Sequence, residues 1–389
     1  MCRWARRVEL VRRRPLRSGL IEGDNRHALH EDDRSSTTPD LPAAGSGAAS
    51  PVRGRWRRVL QSRCPGRCTT RSTRRGDKLG AVTELGRRLD IFRTPDERFA
   101  DLQEYPFRPC HQYWQGLRMH YVDEGRGTPV LLLHGEPTWS YLYRSMIPPL
   151  VAAGFRCVAP DYIGFGKSDK VLDDAWYVIE RHVESIRSLI EALDLRDITL
   201  VVHDWGGPIG LRQAVDMPER VSRLVILNTW LHHHGFHYSD MIRRWRSYAL
   251  GFAPGTGDMP TGEIVARWPR IDEGRRSAVK AAYDAPYPDA ASKAGPRRFP
   301  WCLPFAEPLA GNAADQARCF EAITQWQKPA HLIFGDRDEI FSGDWARAWA
   351  AEIPGATVDM VPGPHHVSEE SGPTIAGLML KYMTARDVT

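Results

Sequence analysis

Three short stretches of this chain carry side chains whose types and order fit covalent hydrolysis. In VHDWGG, at residues 202–207, the aliphatic run ending at Val202 gives way to PIGLRQAV, so Asp204 stands where a strand turns sharply into a helix. Such a turn lifts its side chain clear of the sheet and within reach of substrate. FGDRDEIF then supplies Asp336 and Asp338, and PGPHHVSEE supplies His365 and His366, each just past a strand-like run. Nucleophile, acid and histidine follow one another in the order that a turn of this kind requires. Each residue alone has a plainer reading: aspartate caps helices and turns, and histidine is common in loops. Three such placements in sequence make the catalytic reading the stronger one.

A carboxylate at this position narrows the chemistry. A serine that displaced a leaving group from saturated carbon would be left as an ether, which water does not easily cleave. An aspartate is left as an ester, whose carbonyl an activated water attacks while backbone N–H groups hold the oxyanion. The expected reaction is alkyl transfer to Asp204 followed by hydrolysis, on an alkyl halide or an epoxide. A departing halide needs hydrogen-bond donors, and the Trp205 indole N–H donates without accepting. A retained epoxide oxygen needs an acid, for which Tyr238, Tyr248, Tyr283 and Tyr287 are candidates.

The elements that position these residues are legible as alternating patterns. Strands are expected in LRMHYVDEG (Leu117 to Gly125), PVLLLHG (Pro129 to Gly135), FRCVAPD (Phe155 to Asp161), ITLVVHD (Ile198 to Asp204), VSRLVILN (Val221 to Asn228), AHLIFGD (Ala330 to Asp336) and ATVDMVPG (Ala356 to Gly363). Helical spacing fills the gaps, as in Ala175 to Leu193. Alternating strand and helix implies a mostly parallel, doubly wound α/β sheet whose strands end on one ligand-binding edge. Residues 229–329 interrupt the rhythm. That is too long for a structureless loop, and SDMIRRWRSYAL and DEGRRSAVKAAY have helical spacing, so an inserted helical cap over the sheet edge is expected.

Composition sets the remaining bounds. The chain has 389 residues, 42% of them hydrophobic, enough for a substantial core in one or two domains. Residues 1–80 hold 19 basic and 8 acidic residues, whereas the remainder holds 34 basic and 40 acidic, so the net +5 belongs to the N-terminal segment. Residues 1–85 read as a disordered basic extension or as upstream sequence ahead of a true start near Val82, because apolar residues are too sparse to offset ordering entropy. Seven scattered cysteines argue against a disulfide framework. No apolar run is long enough to span a bilayer. The expectation is a cytoplasmic enzyme, monomeric or weakly dimeric, that acts on a small molecule and binds neither membrane nor nucleic acid.

Six stretches together resemble the haloalkane dehalogenases of the α/β-hydrolase superfamily: RTPDERFADLQEYPF, HGEPTWSYLYR, PDYIGFGKSDK, VVHDWGGPIGL, APYPDAASKAGPRRFP and PHHVSEE. The likeness runs from about Ile91 to near the C-terminus. It implies a core of residues 86–228 and 330–389 with a cap at 229–329. It implies Asp204 as nucleophile and His365 rather than His366 as base. Asn228 stands where some members carry a glutamate, so the third member falls to the later loop, Asp338 in preference to Asp336. The resemblance also implies two halide donors, Trp205 and, because Glu136 replaces an asparagine donor, a cap tryptophan: Trp245, with Trp230 and Trp268 as other candidates. Backbone N–H groups of Glu136 and Trp205 would form the oxyanion hole, and no metal or organic cofactor is implied.

Overall fold

The computed structural model describes residues 78–82 and 88–385. The strands are β1 (Lys78–Val82), β2 (Arg88–Phe92), β3 (Cys110–Trp114), β4 (Leu117–Gly125), β5 (Pro129–Leu133), β6 (Arg156–Pro160), β7 (Lys170–Val171), β8 (Ile198–His203), β9 (Val221–Leu227), β10 (Ala330–Gly335) and β11 (Thr357–Val361). The helices are α1 (Ile147–Ala152), α2 (Ile179–Ala192), α3 (Gly206–Asp216), α4 (Asp240–Leu250), α5 (Thr261–Ala266), α6 (Glu273–Asp284), α7 (Ala294–Arg298), α8 (Ala313–Thr324), α9 (Gly343–Glu352) and α10 (Ser368–Ala385).

Eight strands form one sheet in the order β11-β10-β9-β8-β5-β6-β4-β3. Pairing is parallel from β11 through β6, and antiparallel only where β4 joins β6 and β3 joins β4. This is the mostly parallel sheet that the alternating pattern implied. β3 went unread because CHQYW is short and mixes polar with apolar residues. β5 and β8 are buried at every position, as strands covered on both faces must be. Their two-residue period splits them between two cores: Leu131, Leu133, Leu200 and Val202 pack on one face, and Val130, Leu132 and Val201 on the other.

β1 falls within the 1–85 segment. It pairs antiparallel with β2, Lys78 opposite Phe92 and Val82 opposite Arg88, in a separate three-stranded sheet completed by β7. A backbone ladder orders this stretch, and composition does not report ladders. The rest of the 1–85 segment lies outside the described residues. Among the described cysteines, Cys157, Cys302 and Cys319 are buried free thiols, and Cys110 is disulfide-bonded.

The interruption between β9 and β10 holds α4 to α8. Side-chain caps start two of its helices: Ser239 accepts from the Ile242 N–H and Asp272 from the Arg275 N–H. The stretch HGEPTWSYLYR anchors the insertion. The Trp139 indole donates to the Ala282 carbonyl of α6 at 3.2 Å. Arg144 makes a two-pronged bond to Glu369 of α10, both contacts at 2.8 Å, and Glu369 also accepts from Tyr283 of α6. No helix among the described residues is long and apolar enough to cross a membrane.

Candidate active site

β5, β8, β9, β10 and β11 run parallel, so the loops after them meet at one edge of the sheet. Each delivers a polar group: Glu136, Asp204, Asn228, Asp338 and His365. Asp204 has φ 50°, a left-handed conformation unusual for a residue with a Cβ. It marks the sharp bend between β8 and α3 and turns the carboxylate outward, leaving it 7% exposed. Two glycines permit the bend. A Cβ on Gly206 would come within 2.2 Å of the Leu133 carbonyl oxygen, and one on Gly135 within 2.2 Å of Asp204 Oδ2.

The carboxylate is held from two sides. The Glu136 backbone N–H donates to Asp204 Oδ2 at 2.8 Å. His365 Nε2 lies 3.5 Å from Asp204 Oδ1. On its other side, His365 Nδ1 donates to Asp338 Oδ2 at 3.0 Å. Asp338 is itself fully engaged: Asn228 Nδ2 donates to Oδ2 at 2.7 Å, and the N–H groups of Ile340 and Phe341 donate to Oδ1 at 2.7 and 3.1 Å. Burial alone would raise the Asp338 pKa, but His365 and these donors outweigh it and hold it below the usual carboxylate range. Burial likewise opposes charge on His365, yet Asp338 and Asp204 raise it to about 10.

These contacts separate the sequence alternatives. Asp336 accepts from the Gly363 N–H and braces the loop, leaving Asp338 alone on the histidine. His366 is buried without an acidic partner, and burial together with the His365 and His203 rings drives its pKa well below the ordinary imidazole value. The Trp205 backbone N–H, expected beside Glu136 as an oxyanion donor, makes no hydrogen bond to the carboxylate among the described residues.

A cavity of about 350 Å³ opens above Asp204. Trp205, Trp230, Trp245 and Trp268 all line it, with Glu136, Phe341 and His365. Trp230 is stacked on Phe341 with rings 4.9 Å apart and edge-on to Trp205 at the same spacing, and its buried Nε1 has no hydrogen-bond partner among the described residues. Trp268 is 56% exposed at the rim beneath the Arg267 guanidinium. Trp245, half-buried on α4, approaches the Glu136 carboxyl as a hydrogen-bond donor. Of the four tyrosines considered as acids, only Tyr248 lines the cavity. Tyr283 is spent on Glu369, and Tyr238 bonds to His232.

Sequence reasoning missed two supports. Asn228 reads as an absent acid, yet it fixes the acid that is present. His203, the last residue of β8, donates through Nε2 to the His365 carbonyl at 2.8 Å, pinning the His365 loop to the strand that leads into Asp204. One nitrogen each of His203, His365 and His366 lies within 4.8 Å of the others, close enough to suggest metal ligation. Both His365 nitrogens face carboxylates, however, which is the environment of a base rather than of a metal ligand.

The parallel sheet, with Asp204 at the β8–α3 turn and Asp338 and His365 after β10 and β11, is that of an α/β hydrolase, and residues 128–268 match the alpha/beta hydrolase fold family. The sequence is 41% identical over 306 residues to a haloalkane dehalogenase of Mycobacterium marinum, covering 76% of this chain and all of that one. It is 43% identical over 319 residues to a haloalkane dehalogenase of Mycobacterium bovis, with the same coverage of each chain. Among solved structures it is similar to the tetrameric haloalkane dehalogenase of Paraglaciecola agarilytica, with a TM-score of 0.70 and 33% identity over 75% of this chain and 98% of that one. This chain belongs to the haloalkane dehalogenases, hydrolases acting on carbon–halide bonds.

Proposed function

We propose that this protein converts haloalkanes to an alcohol, a halide ion and a proton through an ester on Asp204. One observation carries the reading: a carboxylate, not a hydroxyl, projects from the strand-to-helix turn into a cavity that it shares with two indole donors and a paired histidine. Asp204 attacks the halogen-bearing carbon from the side opposite the halogen, and the indole N–H groups of Trp205 and Trp245 receive the halide. Esterification removes the Asp204 charge, one of the two that raise His365, and shifts the imidazole toward its neutral form. Neutral His365, oriented by Asp338, then takes a proton from the water that attacks the ester. Glu136 N–H, already 2.8 Å from Oδ2, is in position to stabilise the oxyanion. Residues 229–329 act as the cap that shapes the pocket.

Epoxide hydrolysis is less well supported, because three of the four candidate tyrosines do not line the cavity. The decisive experiment uses the His365→Gln protein with 1,2-dibromoethane. Intact mass should rise by one bromoethyl group located on Asp204, with release of one bromide. A variant that folds and gains no mass refutes the scheme.

A further inference from the structure

A second carboxyl group shares the cavity with the nucleophile, and the reaction above uses only its backbone. Glu136 is 4% exposed and lines the cavity wall. Its Oε1 is buried without a hydrogen-bond partner, while the Trp245 indole approaches the carboxyl as a donor. The indole expected to hold the departing halide therefore faces an acidic side chain. Burial and the nearby Asp204 charge push the Glu136 pKa well above the carboxylate range, and His365 and the indole pull weakly the other way. Tyr287, whose hydroxyl is buried and neutral, also lies near it, and the cavity wall carries Arg244, Tyr248, Glu263, Arg267, Glu339, His366 and Arg337, the last bound to Glu370.

We propose that Glu136 controls halide release: its carboxyl oxygen and the halide compete for the Trp245 indole proton, so the ion stays while Glu136 is neutral and leaves when Glu136 becomes an anion. This rests on the dehalogenase reading. A halide held between the two indoles is an anion in a wall of low polarity, where a like charge nearby is strongly repelled. An ionised Glu136 would be that like charge, and it would also occupy one of the halide's donors. Bound halide thus favours the neutral carboxyl, and by reciprocity the neutral carboxyl favours halide. The sign follows. Halide raises the Glu136 pKa, so affinity is full below the pKa of the empty site. It falls as pH rises, roughly tenfold per unit, up to the pKa of the occupied site.

The test is bromide titration across pH, followed by tryptophan fluorescence and by calorimetry in two buffers of different ionisation enthalpy. The proteins are the wild type, Glu136→Gln and His365→Gln. Wild type should take up a proton with bromide and show the tenfold-per-unit slope. Glu136→Gln should bind bromide with neither slope nor proton uptake, and His365→Gln should keep both. Infrared difference spectra of the wild type should gain the carbonyl stretch of a protonated carboxyl when bromide binds, a reading that stands even if Glu136→Gln does not fold. A Glu136→Gln protein that retains the slope, or bromide binding without that band, overturns the proposal. Failure of the dehalogenase reading itself looks different: wild type would neither bind bromide nor release it from 1-bromobutane.

Discussion

The edge of the sheet and the insertion above it hold their functional side chains by different means. At the sheet edge, Asp338 accepts four hydrogen bonds, two of them from the backbone, and Asp204 rides on a bend fixed by two glycines. In the insertion, α4 buries only Ile242 and Ala249, and the same helix carries Trp245 half-buried and Tyr248 49% exposed. The groups proposed to make bonds sit where the backbone permits little error, and those proposed to shape the pocket sit on a helix that packing restrains lightly. Chemistry should therefore be brittle at the edge and tunable in the insertion.

The sharpest break should come from Asp204→Ala, which removes the bond-forming oxygen. Halide release should fall about 10⁴-fold or more. Next, Asp338→Asn should slow ester hydrolysis about 10³- to 10⁴-fold by losing the orienting charge while leaving alkylation possible. A bromoethyl adduct should then accumulate in intact-mass spectra, and slow turnover without an adduct would remove Asp338 from its role. Trp245→Phe deletes one donor to a charged group, a loss of about 1.5 kcal/mol, so bromide Kd should rise about tenfold with the fold unchanged. The smallest change belongs to the rim: Trp268→Ala should leave kcat within about twofold, because exposed positions away from a bonded network tolerate truncation.

The same comparison has an electrostatic form. His365 is raised to about 10 by two carboxylates against the opposing effect of burial, so it is charged in the resting protein at neutral pH. Asp204→Asn removes one of those carboxylates, and the His365 pKa should fall, read by NMR titration of the ring. An unchanged titration would mean that Asp338 alone sets the charge. Insertion variants such as Trp268→Ala should leave this titration where it is.

Much of the fold was legible because buried parallel strands announce themselves. PVLLL is apolar at every position and ITLVV at all but Thr199, and the structure places strands there with ends within two residues of those expected. CHQYW gave no such signal, since an edge strand of mixed polarity is ordered largely by its ladder. Asn228 was readable as a missing acid but not as the donor that fixes Asp338, because that bond spans 110 residues of chain. Glu136 was legible as a backbone donor, whereas its meeting with Trp245 joins a loop after β5 to a helix of the insertion.

By itself the sequence placed Asp204, then Asp336 and Asp338, then His365 and His366, each just past a strand-like run, because that pattern is a local property of the chain. It determined the reaction type as well, since an aspartate in place of a serine changes ether to ester. The resemblance already favoured Asp338 over Asp336 and His365 over His366, and only the tertiary structure shows the contacts that go with those choices: Asp338 on His365, His365 beside Asp204, and Trp245 near the Glu136 carboxyl. Those choices depend on distances of about 3 Å between loops far apart in the chain, and such distances are fixed by how the sheet and the insertion pack together.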